Sequence, residues 1–369
     1  MWWPWLADAF KRELLETMPD ELRGGVVHLC PPSGAAAVEA ALLLAEIATG
    51  RGRHVGVAGG FHGSTRGAHS VSSPTRDHSR PLTSNEPTRT IPFPHPYRCP
   101  FGAGGPTGIR LAMDGATRAI TASTSALRPP ASLIIECVQG EGGSVPGPVE
   151  WIRALRTLTT DHGVVMVADE VQAGMCRTGT TWSFERAEIV PDVVVVSKAL
   201  GGGVPIAALV MRPELNVWKP GAFTGTFRGN SLGFAAALAV LRHARAVNLS
   251  EIAARSGSRL RGGLEKLSAE HPILGYVYGL GLMIGVDIID PDGPPDACGA
   301  RPPATAVAEK LRRATYKRGV LVELGGIARN VIRFLPPLTI VNEETDEILH
   351  AFEQALMDVT LTPPDRPAD

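Results

Sequence analysis

A succession of apolar runs, separated by helical or glycine-rich stretches, constrains this chain more than any other feature. The runs lie in GGVVHLCPPSG, HVGVAGGFHG, ASLIIECVQGEGG, VVMVADEVQAG, PDVVVVSKALGGG and PIAALVM. Between them, AAAVEAALLLAEIATG and PVEWIRALRTLTTDHG carry helical patterning, the first ending at Gly50. Buried strands alternating with helices argue for an α/β fold with a mostly parallel sheet covered by helices. Ligands of such sheets lie beyond the carboxyl ends of the strands. Glu141, Asp169 and Lys198 all fall at or just past such ends, where distant positions can form one pocket.

Beyond the strand-rich part, GNSLGFAAALAVLRHARAVNLSEIAARSGSRLRGGLEKLSAEHP has apolar residues near the helix period. It leads into ILGYVYGLGLMIGVDII, a further helix ending near Arg318, strand-like GVLVEL and NVIRFLPP, and an acidic final helix. The expected organisation is an N-terminal segment (1–20), a large domain (21–255), a small C-terminal α/β domain (256–359) and a flexible tail (360–369). Residues 70–108, rich in Ser, Thr, Pro and His, are expected to form an extended loop region. Trp2, Trp3 and Trp5 are expected either to cover a helix end or subunit contact, or to lie on an exposed terminus.

Composition narrows the function. A formal net charge of -1 argues against a general nucleic-acid or membrane-surface binder. No run approaches the ~18 apolar residues of a transmembrane helix. The opening lacks the basic flank and continuous apolar stretch of a secretion signal. Five scattered cysteines fit a reducing, cytoplasmic setting better than a disulfide scaffold.

Taken singly, the site signals have ordinary explanations. A lysine at a strand end is usually a solvated charge, and Ser33, Gly34 and Ala35 could simply cap a helix. That helix start could equally hold a phosphate through free N–H groups and its positive end. The stretch lacks a nucleotide P-loop pattern. Asp169 and Glu170 follow a buried strand, where carboxylates need cations or hydrogen bonds. Strand alternation sends them to opposite faces. A metal held by Asp169, Glu141 and a histidine finds no recurring ligand spacing, so no metal is expected.

Together, the blocks PSGAAAVEAAL, GGFHGSTRGA, IIECVQGEGG, VVMVADEVQAGMCRTG, DVVVVSKALGGGVPIAA, GTFRGNSLGFAAA and VIRFLPPLTI resemble the class III pyridoxal-phosphate-dependent aminotransferases. The blocks stand in family order over about residues 20 to 355. The resemblance implies a fold-type I transferase, with a large domain binding pyridoxal 5'-phosphate and a small C-terminal domain. It departs from the family at Ala36, where an acid is common, and in the shortened region before FKRELLETMPDEL.

The same resemblance implies residue roles. Lys198 is the amine that bonds the cofactor aldehyde and then moves the substrate proton. Asp169 pairs with the pyridine nitrogen, Gln172 with the ring hydroxyl, and Phe61 and Val171 lie against the two ring faces. Ser33, Gly34 and Ala35 form the phosphate turn, while Thr226 reaches the phosphate of a neighbouring subunit, giving a homodimer with shared sites. Asn230 braces that loop. Arg333 grips a substrate carboxylate, Glu141 neutralises it when another donor is bound, and Glu136 supports nearby loops. WKPGAFTGTFRGN is most similar to the diaminobutyrate–2-oxoglutarate transaminases. Small amino-acid and 2-oxo-acid substrates follow, with the 4-amino group of L-2,4-diaminobutyrate moving to 2-oxoglutarate. Another class III ω-amino acid transaminase or aminomutase is an alternative, as is a catalytically impaired aminotransferase-like binding protein.

Overall fold

The computed structural model describes residues 4–73, 89–121 and 129–361. Trp2, Trp3, residues 74–88 of the expected loop region and the expected tail beyond 361 lie outside them.

The chain opens with α1 (Pro4–Leu15) and α2 (Asp20–Arg23), followed by β1 (Val26–Cys30), α3 (Gly34–Thr49), β2 (His54–Val57), α4 (Arg66–Ser70) and β3 (Arg89–Ile91). Next come α5 (Gly105–Thr121), β4 (Ser132–Ile135), a hairpin of β5 (Val138–Gln139) and β6 (Val145–Pro146), α6 (Val149–Asp161) and β7 (Val165–Asp169). β8 (Val193–Val196), β9 (Ala207–Met211) and α7 (Ser231–Ala246) complete the strand-rich part. The remainder is α8 (Leu249–Glu270), β10 (Leu274–Leu280), β11 (Met283–Ile288), α9 (Thr305–Lys317), β12 (Glu323–Gly325), β13 (Val331–Phe334) and α10 (Asn342–Leu361).

Seven strands form one sheet in the order β1-β9-β8-β7-β4-β2-β3. The pairs β2·β3, β2·β4, β4·β7 and β7·β8 are parallel, and β9 runs antiparallel to both β8 and β1. The unbroken valines of β8 follow from the sheet being covered on both faces. Val194 and Val196 enter one core with Met166 and Ala168, while Val193 and Val195 enter the other with Val165 and Val167. A period of two requires apolar residues at every position when both faces are buried. Helix α3 covers the second face; α1, α5, α6 and α7 cover the first.

Within the opening segment, α1 buries Ala7, Phe10 and Leu14 in the large core, with Phe10 stacked on Phe234 at 5.7 Å. Trp5 remains 60% exposed. Helix α5 was not anticipated, because its buried stripe includes Ala112 and Ala116, whose small side chains give a weak apolar signal.

A second, antiparallel sheet has the order β10-β11-β13-β12 and packs against α8, α9 and α10 around Leu260, Leu264, Ile284, Ile332 and Phe352. The expected division at 255/256 falls inside the continuous helix α8. Asn248, at φ 51, makes the break between α7 and α8, and we propose that break as the junction between the two units. Among the described residues, no helix is long and apolar enough to cross a membrane.

Candidate active site

The parallel strands bring their carboxyl ends to one edge of the large sheet. Residues that follow β1, β2, β4, β7 and β8 meet there in a cavity of about 220 Å³. Gly34, Ala35, Phe61, Glu141, Asp169, Val171, Gln172 and Lys198 all line it, joined by His62 and Glu136. An adjoining, more open cleft shares Gly34, Val171, Gln172 and Lys198 and adds Ser33. Most of the expected site residues are therefore neighbours.

At one end lies the start of α3. Ser33 takes an extended conformation and its Oγ accepts from Ala36 N–H at 3.1 Å, capping the helix. The first-turn N–H groups of Gly34 and Ala35 have no partner within the helix, and both residues line the cavity, where such groups can hold an anion. Gly34 is needed sterically, since a Cβ there would stand 2.8 Å from Val171 Cγ1.

Lys198 opens the turn after β8 at φ 43, a left-handed conformation costly for a residue with a Cβ. Such strain persists where the surrounding structure enforces it. Ser197 Oγ, which donates to Ile206 carbonyl at 2.7 Å, anchors the turn from the preceding position. Among the described residues, the Lys198 amine makes no hydrogen bond or ion pair.

Asp169 is buried, and its two oxygens have different partners. Oδ1 accepts from Val171 N–H at 3.0 Å, while Oδ2 lies 2.7 Å from His62 Nδ1. The carboxylate can only accept, so Nδ1 carries the proton. Burial alone would lower the His62 pKa, but the Asp169 hydrogen bond and the charges of Asp169 and Glu136 outweigh it and raise the value. His62 Nε2 is buried without a hydrogen-bond partner. Glu136 accepts from Phe61 N–H at 2.9 Å and Gly140 N–H at 3.0 Å, tying the aromatic wall to the Glu141 loop. Burial pushes its carboxyl upward, partly offset by the His62 charge.

Glu170 turns away from the cavity. It accepts from Ser183 Oγ at 2.6 Å, Ser183 N–H at 2.9 Å and Phe184 N–H at 3.2 Å. Burial still raises its pKa to about 8, against the pull of those donors.

Arg333 stands behind the cavity wall rather than lining it. It is 1% exposed, with Nη1 donating to Gln172 Oε1 at 3.1 Å and Nη2 to Glu141 Oε1 at 2.8 Å. Nη2 also donates to Glu323 Oε2 at 2.8 Å. Gln172 was expected at a ring hydroxyl; its carbonyl end is used by Arg333, leaving the amide N–H groups as donors. Thr226 is exposed and borders neither cavity of its own chain. Asn230 caps α7 by accepting from Leu232 N–H at 3.1 Å. Among the described residues, no group of three or more His, Cys, Asp or Glu is placed to hold a metal ion.

His62 and Glu323 were missed by sequence reasoning. The partner of His62 lies 107 positions away, and nothing local marks it. Glu323 was accessible by counting, because strands meeting around a short turn at 326–330 pair Glu323 with Arg333.

The sequence pattern of the family described as aminotransferase class-III matches residues 6–356. The chain is 42% identical over 349 residues to a diaminobutyrate–2-oxoglutarate aminotransferase of Rhizobium meliloti (strain 1021), covering 94% of this chain and 74% of that one. It is 40% identical over 353 residues to the Haemophilus influenzae protein of the same name, covering 96% and 77%. An amine transaminase structure from an uncultivated Pseudomonas species, in its PLP-bound form, superposes with a TM-score of 0.85 at 27% identity, covering 97% and 82%. A phospholyase from Arthrobacter, in complex with phosphoethanolamine, gives 0.84 at 28% identity, with the same coverage.

Proposed function

The chain belongs to the class III aminotransferases, and we propose that it moves the 4-amino group of L-2,4-diaminobutyrate to 2-oxoglutarate, yielding aspartate 4-semialdehyde and glutamate. As a member of that family it is a pyridoxal 5'-phosphate-dependent aminotransferase. The observation that carries the reading is the meeting of Lys198, Asp169 and a helix start in one cavity backed by the Arg333–Glu141 pair.

The donor set fits this cofactor. Gly34 and Ala35 N–H groups, with Ser33 capping their helix, would hold its phosphate; Phe61 and Val171 would flank the ring. Asp169 would face the ring nitrogen, the Gln172 amide the ring hydroxyl, and Lys198 the aldehyde. When bound, the cofactor supplies a carbonyl carbon for amine exchange and an electron-withdrawing ring.

The remaining work belongs to the chain's own groups. Asp169 holds a negative charge in the cavity, and His62 fixes its orientation by donating from Nδ1. The Lys198 amine, at the strand end lining the cavity, would accept and give back the proton of the substrate carbon that bears the exchanged amine. Glu136 keeps Phe61 and the Glu141 loop in register with each other.

Two substrates with unlike ends must use the same pocket. Arg333 would bind the acid substrate's carboxylate through paired N–H groups, once Glu141 gives way. With the diamino donor bound, Glu141 would stay on Arg333 and neutralise it. Thr226, exposed on this chain, would complete the phosphate site of a second copy, so the functional unit is proposed to be a homodimer.

A donor panel with 2-oxoglutarate and added cofactor, with both products identified, tests the reading. Diaminobutyrate should yield aspartate 4-semialdehyde and glutamate faster than ornithine or 4-aminobutyrate. Turnover of those donors without diaminobutyrate turnover would overturn the substrate assignment.

A further inference from the structure

Arg333 presents only one edge to an incoming carboxylate. On the other edge, a Cβ added at Gly325 would stand 2.6 Å from Arg333 Cδ and 2.8 Å from Nε, so the β12 backbone lies against that side. Arg333 Nε is buried there without a hydrogen-bond partner. Binding through Nε is thereby closed, leaving the pair of Nη groups. Those are already held by Gln172, Glu141 and Glu323.

The two acids are mounted differently. Glu141 follows β5 in the β5–β6 hairpin, lines the cavity and is 15% exposed in its side chain. Glu323 is 62% exposed and is the Cα partner of Arg333 in the antiparallel β12·β13 pair. Directly opposed residues of a strand pair share a face, so backbone register keeps Glu323 beside the guanidinium. Two carboxylates on one guanidinium leave an excess negative charge. A substrate carboxylate that displaces Glu141 still meets Glu323 on the same Nη2.

We infer that Glu323 is a specificity-determining residue, a standing competitor for Arg333 that weakens binding of the 2-oxo acid. The far end of the diamino donor carries both an ammonium and a carboxylate, so the same charge changes its binding less than that of the 2-oxo acid. This inference rests on the proposed use of Arg333 as the carboxylate site. The Glu141 side chain lines the cavity that the substrate enters, whereas the register of β12 holds Glu323 beside Arg333. The affinity for the acid substrate is thus set by a group outside the cavity.

The test is calorimetric titration of cofactor-loaded protein with glutarate, a dicarboxylate that has no keto group to react. An exposed ion pair contributes up to about 1 kcal/mol, so Glu323→Gln should bind glutarate about two- to fivefold tighter than wild type. The KM for 2-oxoglutarate should fall by a similar factor, and the KM for the diamino donor should change less. A merely structural role would weaken every ligand instead. Glutarate affinity that is unchanged or weaker in Glu323→Gln overturns the inference. Arg333→Lys serves as the separate control: if it binds glutarate as wild type does, the use of Arg333 as the carboxylate site fails, and the assignment of Glu323 falls with it.

Discussion

Replacing His62 with leucine should lower kcat/KM by removing the side-chain donor that orients Asp169. In the described structure Asp169 accepts two hydrogen bonds, from His62 Nδ1 at 2.7 Å and Val171 N–H at 3.0 Å. Leucine removes the first and leaves the second. Because Asp169 is 3% exposed, little solvent is available as a replacement donor. A hydrogen bond to a charged group contributes about 1.5–3 kcal/mol, and about 1.4 kcal/mol is a factor of ten in rate. Losing that bond should therefore lower kcat/KM by about ten- to a hundredfold. The assay is kcat/KM with saturating cofactor, alongside thermal melts that verify folding. His62→Gln retains an N–H donor and should track wild type more closely than His62→Leu. Equal kcat/KM for wild type and His62→Leu would refute the assignment of His62 as the residue that holds Asp169 in place.

Three further outcomes follow from the site. Lys198→Ala should lower amino transfer by about a hundred- to ten-thousandfold, the usual contribution of a positioned proton-transfer group, and turnover equal to wild type in a coupled assay would remove its role. Gly34→Ala places a Cβ 2.8 Å from Val171 Cγ1, so cofactor affinity in an absorbance titration should fall by about fivefold or more, while Gly34→Ala/Val171→Ala should recover part of it; no loss in the single variant would contradict the steric reading. Glu170 has a folded pKa raised from 4.5 to about 8, so the folded protein keeps a proton that the unfolded chain has lost across that window. Its stabilising contribution is full below 4.5 and is lost as pH rises through about 8; Glu170→Gln should show a flatter melting temperature over that range, and parallel curves would refute it.

Much of this arrangement was legible because it follows from local rules. The apolar runs specified a two-sided sheet, and the cap at Ser33 marked the start of α3. The positions of Asp169 and Lys198 at strand ends predicted their meeting, since parallel neighbours β7 and β8 end at one edge. Other features depend on long-range register, which a linear reading does not contain. The His62–Asp169 bond spans 107 positions, and Gln172 turns its carbonyl to Arg333 across 161. Helix α5 escaped notice for a different reason: alanine packs well against a sheet yet barely marks an apolar face.

The division of labour between Asp169 and Glu170 shows how the chemistry depends on residues that never touch the cavity. Adjacent strand positions face opposite ways, so one carboxyl enters the cavity and the other meets the Ser183–Phe184 backbone. A slip of β7 by one residue would exchange them. Glu170 would then enter the cavity, and Asp169 would lose its His62 partner. Two sets of contacts oppose that slip. Val165 N–H donates to Ala131 carbonyl at 3.0 Å, and Glu170 N–H donates to Val195 carbonyl at 3.0 Å, pinning both ends of the strand. Between them, Val165 and Val167 fill one core while Met166 and Ala168 fill the other. Exchanging those faces would place valines where the smaller Ala168 fits and leave unfilled space opposite. The acid in the cavity is therefore selected by the sizes of four buried side chains upstream, so substitutions that invert their large and small positions should damage catalysis without altering any cavity residue.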